Sequence, residues 1–219
     1  MSSQPLHRIG HGGASALVAA NTLESFDVAR SIGIDMIEFD LRAWRGELVL
    51  AHTILDARRP DNVRLDAALS YLAGRRFAEI GLNLDLKHAG CEAAALDALR
   101  RYGLLARTLI SCQVPAVVDR VRALDPDART GISIGGRLAR VSRRWTGWRA
   151  QVLAGLAARR WDALMVQHRL VDGKLVVEVV NRGGSLYAWT ANERGVIDRL
   201  RAHGVHGITT ADPRLFQAP

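Results

Sequence analysis

The sequence lacks most of the features by which membrane proteins, zinc proteins and disulfide scaffolds are recognised. Its only cysteines, Cys91 and Cys112, have no spacing typical of a metal site or a disulfide framework. No apolar run reaches the roughly 18 residues needed to cross a bilayer, and the opening MSSQPLHRIG lacks the basic-then-apolar order of a signal peptide. We therefore expect buried thiols in a reducing compartment and a cytoplasmic location.

Acidic residues are also scarce relative to basic ones. The chain has 30 lysines and arginines against 22 aspartates and glutamates, which gives a formal net charge of +8. A basic surface favours phosphate-bearing small molecules, nucleic acids or anionic lipid, although an arginine-rich surface can equally be only solvated. Because the arginines belong to no recognisable nucleic-acid fold motif, we expect no nucleic-acid partner.

No low-complexity tract, repeat or linker divides the chain, so we expect a single domain over residues 1–219. Eight strand-like runs alternate with amphipathic helical segments, which predicts a parallel α/β sheet, and their number predicts a (β/α)8 TIM barrel. A doubly wound open sheet is the alternative, but no glycine-rich dinucleotide turn follows the first run. The runs are HRIGH (7–11), DMIEFD (35–40), LNLDLK (82–87), TLIS (108–111), TGISI (130–134), ALMVQ (163–167), LYAWT (186–190) and GITT (207–210).

One further strand-like run interrupts this alternation. The run ELVLAH (47–52) follows the turn WRGE too closely for a parallel crossover, so we interpret it as an extra segment in the second strand-to-helix loop. The helical segments between the other runs include 22–33, 91–103, 115–125 and 193–204.

Polar side chains occur two apart in two of the otherwise apolar runs. IEFDL carries Glu38 and Asp40, and LNLDLK carries Asp85 and Lys87. Residues two apart on a strand share one face, so these groups project together. Three carboxylates inside an apolar sheet are costly unless a cation compensates their charge, and oxygen ligands of this kind suit Mg²⁺ or Ca²⁺. The alternative is a salt-bridge network with Lys87 and Arg42 and no metal.

Two histidines join these groups at one end of the predicted barrel. Catalytic groups of such barrels gather at the C-terminal ends of the strands, where His11 ends the first run and His52 ends the extra segment. Trp189 lies at the same end of the seventh run. An imidazole with an ordinary pKa of about 6.5 can act as acid or base near neutrality. The concentration of these groups predicts an active site.

The order of the motifs resembles that of the glycerophosphodiester phosphodiesterases. IGHGG, NTLESF, IEFDLR, AH and LNLDLK follow one another, and LYAWTANERGVIDRLRAHGVHGITTADP resembles the C-terminal segment of that family. The resemblance implies a TIM barrel that hydrolyses glycerophosphodiesters to glycerol phosphate and an alcohol, with one divalent cation, Mg²⁺ or Ca²⁺, and two histidines. A phosphodiester, either a small molecule or a lipid, is then the expected partner. By position, the resemblance assigns catalysis to His11 and His52, metal binding to Glu38, Asp40 and Asp85, and contacts with the substrate or its phosphate to Lys87, Asn21 and Trp189.

Some residues depart from the family pattern. The family usually has His-Arg-Gly where this chain has HGG (11–13), so a phosphate-binding arginine is missing at Gly12, and it usually has His-Asp where this chain has HT (52–53). Arg42, which shares strand parity with the first two carboxylates, is our candidate to replace that arginine at the phosphate. Asp85 stands where glutamate is usual, which also resembles the sphingomyelinase D/phospholipase D branch. Two alternatives stay open: a phospholipase D-like enzyme acting on lysolipids or sphingolipids, and a catalytically weakened barrel that holds phosphate.

A basic, tryptophan-containing segment follows the strand-like run TGISI (130–134). Residues 137–161 contain seven arginines, three tryptophans and no acid, and RRWTGWR (143–149) is the densest part. Such a segment can lie at the interface of an anionic membrane, which makes peripheral membrane contact one interpretation. The other is an ordinary surface helix whose tryptophans pack on the barrel.

Overall fold

The structure, a computed structural model, describes residues 6–136 and 147–217. Eight of its strands are parallel and close into a barrel, because β1 pairs with both β9 and β2. The predicted α/β class and (β/α)8 TIM barrel are therefore confirmed, and each of the eight runs overlaps one of the parallel strands. The strands are β1 (His7–His11), β2 (Met36–Trp44), β3 (Glu47–Leu50), β4 (Gly81–Leu86), β5 (Thr108–Cys112), β6 (Arg129–Ile134), β7 (Ala163–Gln167), β8 (Ser185–Trp189) and β9 (Gly207–Thr210).

Helices connect the parallel strands, as the alternation predicts. Residues 213–216 form a short 3₁₀ helix that follows β9. The α-helices of the described residues are α1 (Leu23–Ile32), α2 (Leu65–Leu72), α3 (Glu92–Arg101), α4 (Pro115–Leu124), α5 (Trp148–Ala157), α6 (Gly173–Val180) and α7 (Arg194–His203). Four of them, α1, α3, α4 and α7, lie within the helical segments predicted from the sequence.

The extra segment after the second barrel strand is confirmed as a hairpin. β3 runs antiparallel to the end of β2, with Leu50 opposite Leu41 and Glu47 opposite Trp44. Arg45 and Gly46 make the turn with φ angles of 51° and 82°, the left-handed pair that suits a two-residue hairpin. The hairpin extends β2 beyond the barrel wall and carries the chain to His52 on the side where the parallel strands end.

Strand alternation separates the apolar core from the polar interior of the barrel. On β4, Leu82, Leu84 and Leu86 join the large cluster that packs between strands and helices. The intervening Asn83 and Asp85 point the other way, into the barrel. The lower part of the barrel interior is filled by a second apolar cluster: Ile9, Met36, Leu109, Ala163, Met165 and Tyr187. The polar side chains occupy the layer above it, at the C-terminal ends of the strands.

Both cysteines are buried and form no disulfide, as expected. Residues 137–146 of the basic segment lie outside the described residues. Of its tryptophans that are described, Trp161 is 4 % exposed and Trp148 packs against the core, so both contribute to packing on the barrel. Among the helices that the structure describes, none combines the length and hydropathy that a membrane crossing requires.

Candidate active site

A cavity of about 260 Å³ opens at the C-terminal ends of the barrel strands. His11, Glu38, His52, Asp85, Lys87 and Trp189 of the predicted site all line it. The remaining lining residues are Asn83, Ser111, Gln113, Ser133, Met165, Thr190 and Thr209. The predicted groups therefore meet at one end of the barrel, although they come from separate parts of the chain.

Three buried carboxylates form a cluster at this end of the barrel. One oxygen from each of Glu38, Asp40 and Asp85 lies within 4.8 Å of the others. Glu38 and Asp40 are two apart on β2, and Asp85 pairs with Asp40 in the neighbouring strand β4. Strand parity and strand adjacency together therefore produce the cluster.

Local hydrogen bonds orient the first two carboxylates. The backbone N–H of Gly12 donates to Oε2 of Glu38 at 2.9 Å. Nδ2 of Asn21 donates to Oδ2 of Asp40 at 2.9 Å, and the backbone N–H of Asp40 donates to Oδ1 of Asn21 at 3.0 Å. Asn21 is buried and positions Asp40, and its contact with the substrate stays a prediction. The donor at position 12 is a backbone N–H, so this bond needs no side chain at that position.

A chain of hydrogen bonds orients the third carboxylate. Nδ2 of Asn83 donates to Oγ of Ser111 at 2.9 Å, and that hydroxyl donates to Oδ1 of Asp85 at 2.6 Å. Asn83 and Ser111 are 1 % and 2 % exposed. Sequence reasoning missed both residues. The signal was available, since Asn83 shares strand parity with Asp85, and Ser111 is the residue of β5 that pairs with Asp85.

Lys87 lies among the carboxylates rather than in open cavity space. Its Nζ is 2.7 Å from Oδ1 of Asp40 and also contacts Oδ2 of Asp85. Burial by itself lowers the pKa of Lys87, but the charges of Asp85, Asp40 and Glu38 outweigh it and raise that pKa above its usual range. Lys87 therefore stays protonated near neutral pH, and it also lines the cavity.

The carboxylates respond differently to the charge around them. Burial raises the pKa of Glu38 well above its ordinary value, and the negative charge of Asp40 adds to the effect. Burial also acts on Asp40, but the ammonium of Lys87 and the amide of Asn21 bring its pKa below the ordinary value. One lysine thus compensates only part of the charge of three carboxylates.

The donor set fits a divalent cation. Three carboxylates against one ammonium leave two negative charges in a buried space, and burial of uncompensated charge is unfavourable. All available donors are oxygens, which Mg²⁺ and Ca²⁺ prefer over nitrogen or sulfur. Glu38, Asp40 and Asp85 are the residues that would hold such an ion.

The two histidines approach the carboxylates from separate loops and strands. Nε2 of His11 lies 3.8 Å from Oε2 of Glu38, and burial lowers the pKa of His11 below its ordinary value. His52 is more exposed and lines the cavity from the loop that follows β3. Nε of Arg42 donates to the backbone carbonyl of His52 at 3.1 Å. The structure thus places Arg42 beside the His52 loop, and Arg42 is absent from the residues that line the cavity.

Trp189 forms part of the opposite wall at the end of β8. A Cβ at Gly135 would lie 2.8 Å from the Trp189 ring, so a glycine there allows the ring to approach the backbone. Within the described residues its Nε1 has no hydrogen-bond partner. Met165 and Thr209 lie on the neighbouring strands β7 and β9 and also line the cavity.

The chain matches the sequence model of the glycerophosphoryl diester phosphodiesterase family over residues 11–55 and 83–215, with an interruption between them. It is 25 % identical over 240 residues to a glycerophosphodiester phosphodiesterase of Caldanaerobacter subterraneus, covering 94 % of this chain and 93 % of the relative. Its fold is shared with a solved structure from Silicibacter pomeroyi (TM-score 0.83, 23 % identity, 97 % and 92 % of the two chains). It is also shared with an Oleispira antarctica phosphodiesterase in complex with the product sn-glycerol-3-phosphate (TM-score 0.76, 20 % identity, 96 % and 94 % of the two chains).

Proposed function

The chain belongs to the glycerophosphoryl diester phosphodiesterase family, a family of phosphoric diester hydrolases, and on that premise we propose what it does. It is a metal-dependent enzyme that cleaves glycerophosphodiesters to glycerol phosphate and an alcohol by acid and base catalysis from His11 and His52. The observation that carries the proposal is that one cavity is lined by both histidines, by Lys87 and by two of the three clustered carboxylates.

The proposed cofactor is one divalent cation, Mg²⁺ or Ca²⁺, held by Glu38, Asp40 and Asp85. When bound, such an ion neutralises phosphate oxygens and orients the diester. Lys87, which remains protonated, contributes a further positive charge at the same end of the cavity. The cation and Lys87 together supply positive charge for the phosphate, so phosphate binding does not require an arginine at position 12.

The two imidazoles supply the proton transfers. One of them removes a proton from the attacking oxygen, and the other donates a proton to the leaving alkoxide. Burial lowers the pKa of His11, so this imidazole stays neutral to a lower pH than an exposed one does. His52 is exposed to solvent at the rim of the cavity. Separate pH profiles of the His11→Gln and His52→Gln variants assign the two roles.

The attacking oxygen is either water or a hydroxyl of the substrate itself. Water gives glycerol phosphate directly, whereas the substrate hydroxyl gives a cyclic phosphate first. Phosphorus NMR of the reaction mixture distinguishes the two products, because the cyclic diester has a separate resonance.

A hydrolysis panel tests the proposal. It compares glycerophosphocholine, glycerophosphoethanolamine and glycerophosphoglycerol, each with Mg²⁺, Ca²⁺ or EDTA. We expect turnover of at least one diester with a divalent cation, loss of turnover in EDTA, and loss in the His11→Ala and His52→Ala variants. If no diester is turned over with any metal while inorganic phosphate still binds, the chain is a phosphate-binding barrel and the proposal is wrong.

A further inference from the structure

A second cavity, of about 690 Å³, lies among the loops that lead from helices into strands. Its wall comes from the last turn of α4 and from the loops that join α5 to β7 and α6 to β8. These loops precede their strands, whereas the catalytic cavity opens where the strands end. The second cavity is therefore at the opposite end of the barrel, and it shares no lining residue with the first.

Positive charge predominates in the wall of this second cavity. Its described lining includes three arginines, Arg122, Arg159 and Arg182, against one acidic residue, Asp162. Oδ2 of Asp162 accepts hydrogen bonds from Nη2 of Arg122 and, at 2.7 Å, from the backbone N–H of Thr130. Because Arg122 already compensates this carboxylate, the other two guanidinium groups leave the lining with two uncompensated positive charges.

The two uncompensated arginines have most of their hydrogen-bonding capacity free. Nη1 of Arg182 donates to the backbone carbonyl of Glu178 at 2.9 Å, which uses one of its five N–H groups. The side chain of Arg159 makes no hydrogen bond or ion pair with the residues that the structure describes. Both residues are exposed. Since a guanidinium can bind two oxygens of one phosphate at once, the pair is available to bind an oxyanion.

Two buried N–H groups of the same wall lack an acceptor within the described part of the chain. They are Nε of Arg122 and Nε1 of Trp161, a residue that is 4 % exposed. The Trp161 ring packs directly on Gly155, where any side chain would collide with it, so the indole is held in place. Because buried donors without acceptors are unfavourable, these groups favour a ligand that brings oxygen acceptors into the cavity.

We propose that the second cavity binds a sugar phosphate, a phosphate monoester whose organic part carries hydroxyl groups. A monoester carries close to two negative charges at pH 7 and so matches the two uncompensated arginines, whereas a diester carries only one. Arg159 and Arg182 bind the phosphate. Oδ1 of Asp162, which accepts no hydrogen bond from the described residues, accepts one from a hydroxyl of the sugar. The site does not depend on the proposed phosphodiesterase function.

Titration calorimetry of the full chain tests the proposal, with EDTA present so that no metal occupies the catalytic cavity. The probes are glucose 6-phosphate, inorganic phosphate and glucose. We expect glucose 6-phosphate to bind at one site, inorganic phosphate to bind about tenfold more weakly, and glucose not to bind. The double variant Arg159→Gln, Arg182→Gln should weaken binding of glucose 6-phosphate by roughly 100-fold, because it removes the charge-assisted hydrogen bonds to the phosphate.

The matched control is the double variant Arg75→Gln, Arg120→Gln. It removes the same two charges from exposed arginines that do not line the second cavity. Its affinity for glucose 6-phosphate should stay within about twofold of the wild type, since exposed charges at a distance are screened by salt. Circular dichroism melts establish that both double variants fold. The single variant Arg159→Gln, which removes a side chain without a described partner, provides the same test if the double variant is unstable.

Four results would overturn the inference. The first is that the wild type does not bind glucose 6-phosphate at millimolar concentrations. The second is unchanged affinity in the Arg159, Arg182 double variant, which would place the ligand elsewhere on the protein. The third is equal weakening in both double variants, which would show only an effect of net charge. The fourth is equal affinity for inorganic phosphate and glucose 6-phosphate, which would exclude a contribution from the sugar.

Discussion

Asn21 and Asp40 bind each other through two hydrogen bonds, one from the Asn21 amide to the Asp40 carboxylate at 2.9 Å and one from the Asp40 backbone N–H to the Asn21 oxygen at 3.0 Å. Asn21 makes them with a φ of 61°, a left-handed conformation that asparagine tolerates better than most residues. The pair joins the loop after β1 to the second barrel strand. It also orients Asp40 so that its other oxygen lies 2.7 Å from Lys87.

Replacing Asn21 separates the contribution of the hydrogen bonds from that of the backbone conformation. Asn21→Gly removes the amide, and glycine adopts the positive φ without strain. The free energy of unfolding therefore falls by the cost of leaving the Asp40 groups without partners, about 1–3 kcal/mol. Asn21→Ala adds the left-handed strain of roughly 1 kcal/mol. Urea unfolding without metal measures both, and we expect stability to fall in the order wild type, Gly, Ala.

A control for the strain alone is available at Gly103. Its φ is 68°, and a Cβ built there meets no atom within 4 Å, so Gly103→Ala introduces the conformational strain without a clash. Its loss of stability should match the difference between the two Asn21 variants. Equal stability of wild type and Asn21→Gly would show that the Asn21–Asp40 pair contributes nothing to folding.

The hydroxyl of Ser111 orients Asp85, one of the three proposed metal ligands. It donates to Oδ1 of Asp85 at 2.6 Å and is itself held by Asn83 at 2.9 Å. Ser111→Ala removes this constraint, and loss of such a supporting contact typically weakens metal affinity by about 10- to 100-fold. Titration calorimetry with Mg²⁺ and Ca²⁺ measures the change directly.

Ser133→Ala provides the matched control for Ser111→Ala. Ser133 is a buried serine that lines the same cavity from the next strand along the barrel, β6. Its replacement should leave metal affinity within about twofold, because Ser133 is not bonded to any of the three carboxylates in the hydrogen bonds of the described residues. If both variants bind metal as the wild type does, the Asn83–Ser111–Asp85 chain does not position the ligand.

Sequence patterns predicted the barrel because each strand carries its own signal. The alternation of Leu82, Leu84 and Leu86 with polar residues identifies both the strand and its buried face. The same parity brings Glu38 and Asp40 together, and strand order brings Asp85 next to them. These features depend on neighbours in the chain or on adjacent strands, which is why the sequence was sufficient for them.

Contacts between residues distant in the chain were harder to predict. Ser111 follows an apolar run and resembles any strand-ending serine until β5 is paired with β4, where it lies opposite Asp85. Arg42 shares strand parity with Glu38, but beyond the barrel wall β2 continues in the hairpin with β3. Its guanidinium therefore reaches the His52 carbonyl, a contact that parity alone does not indicate.

Steady-state kinetics of Arg42→Ala distinguish two roles for Arg42. If Arg42 acts through its hydrogen bond to the His52 carbonyl, the variant loosens the His52 loop, so kcat falls and KM changes little. If Arg42 instead binds the phosphate in place of the arginine that is missing at position 12, KM rises. We expect the first result, with kcat lowered by about tenfold. Unchanged kcat and KM would contradict both roles.

His206 lies at the end of the barrel opposite the catalytic cavity, and we expect it to make stability depend on pH. Its Nδ1 accepts a hydrogen bond from the backbone N–H of Leu186 at 3.1 Å, which requires a ring nitrogen without a proton. Burial lowers the pKa of His206, and the neighbouring His7 lowers it further. The unfolded chain therefore takes up the proton first, near its ordinary pKa of about 6.5.

The sign of the pH effect follows from that difference. Between pH 6.5 and the lower pKa of folded His206, the unfolded state binds more protons, so the free energy of unfolding falls as pH falls. The slope from this group is at most about 1.4 kcal/mol per pH unit. His206→Asn retains an acceptor but cannot titrate, so urea unfolding between pH 5 and 7 should show a smaller slope than in the wild type. An unchanged slope would assign the acid sensitivity to other groups, such as His168, whose pKa burial also lowers.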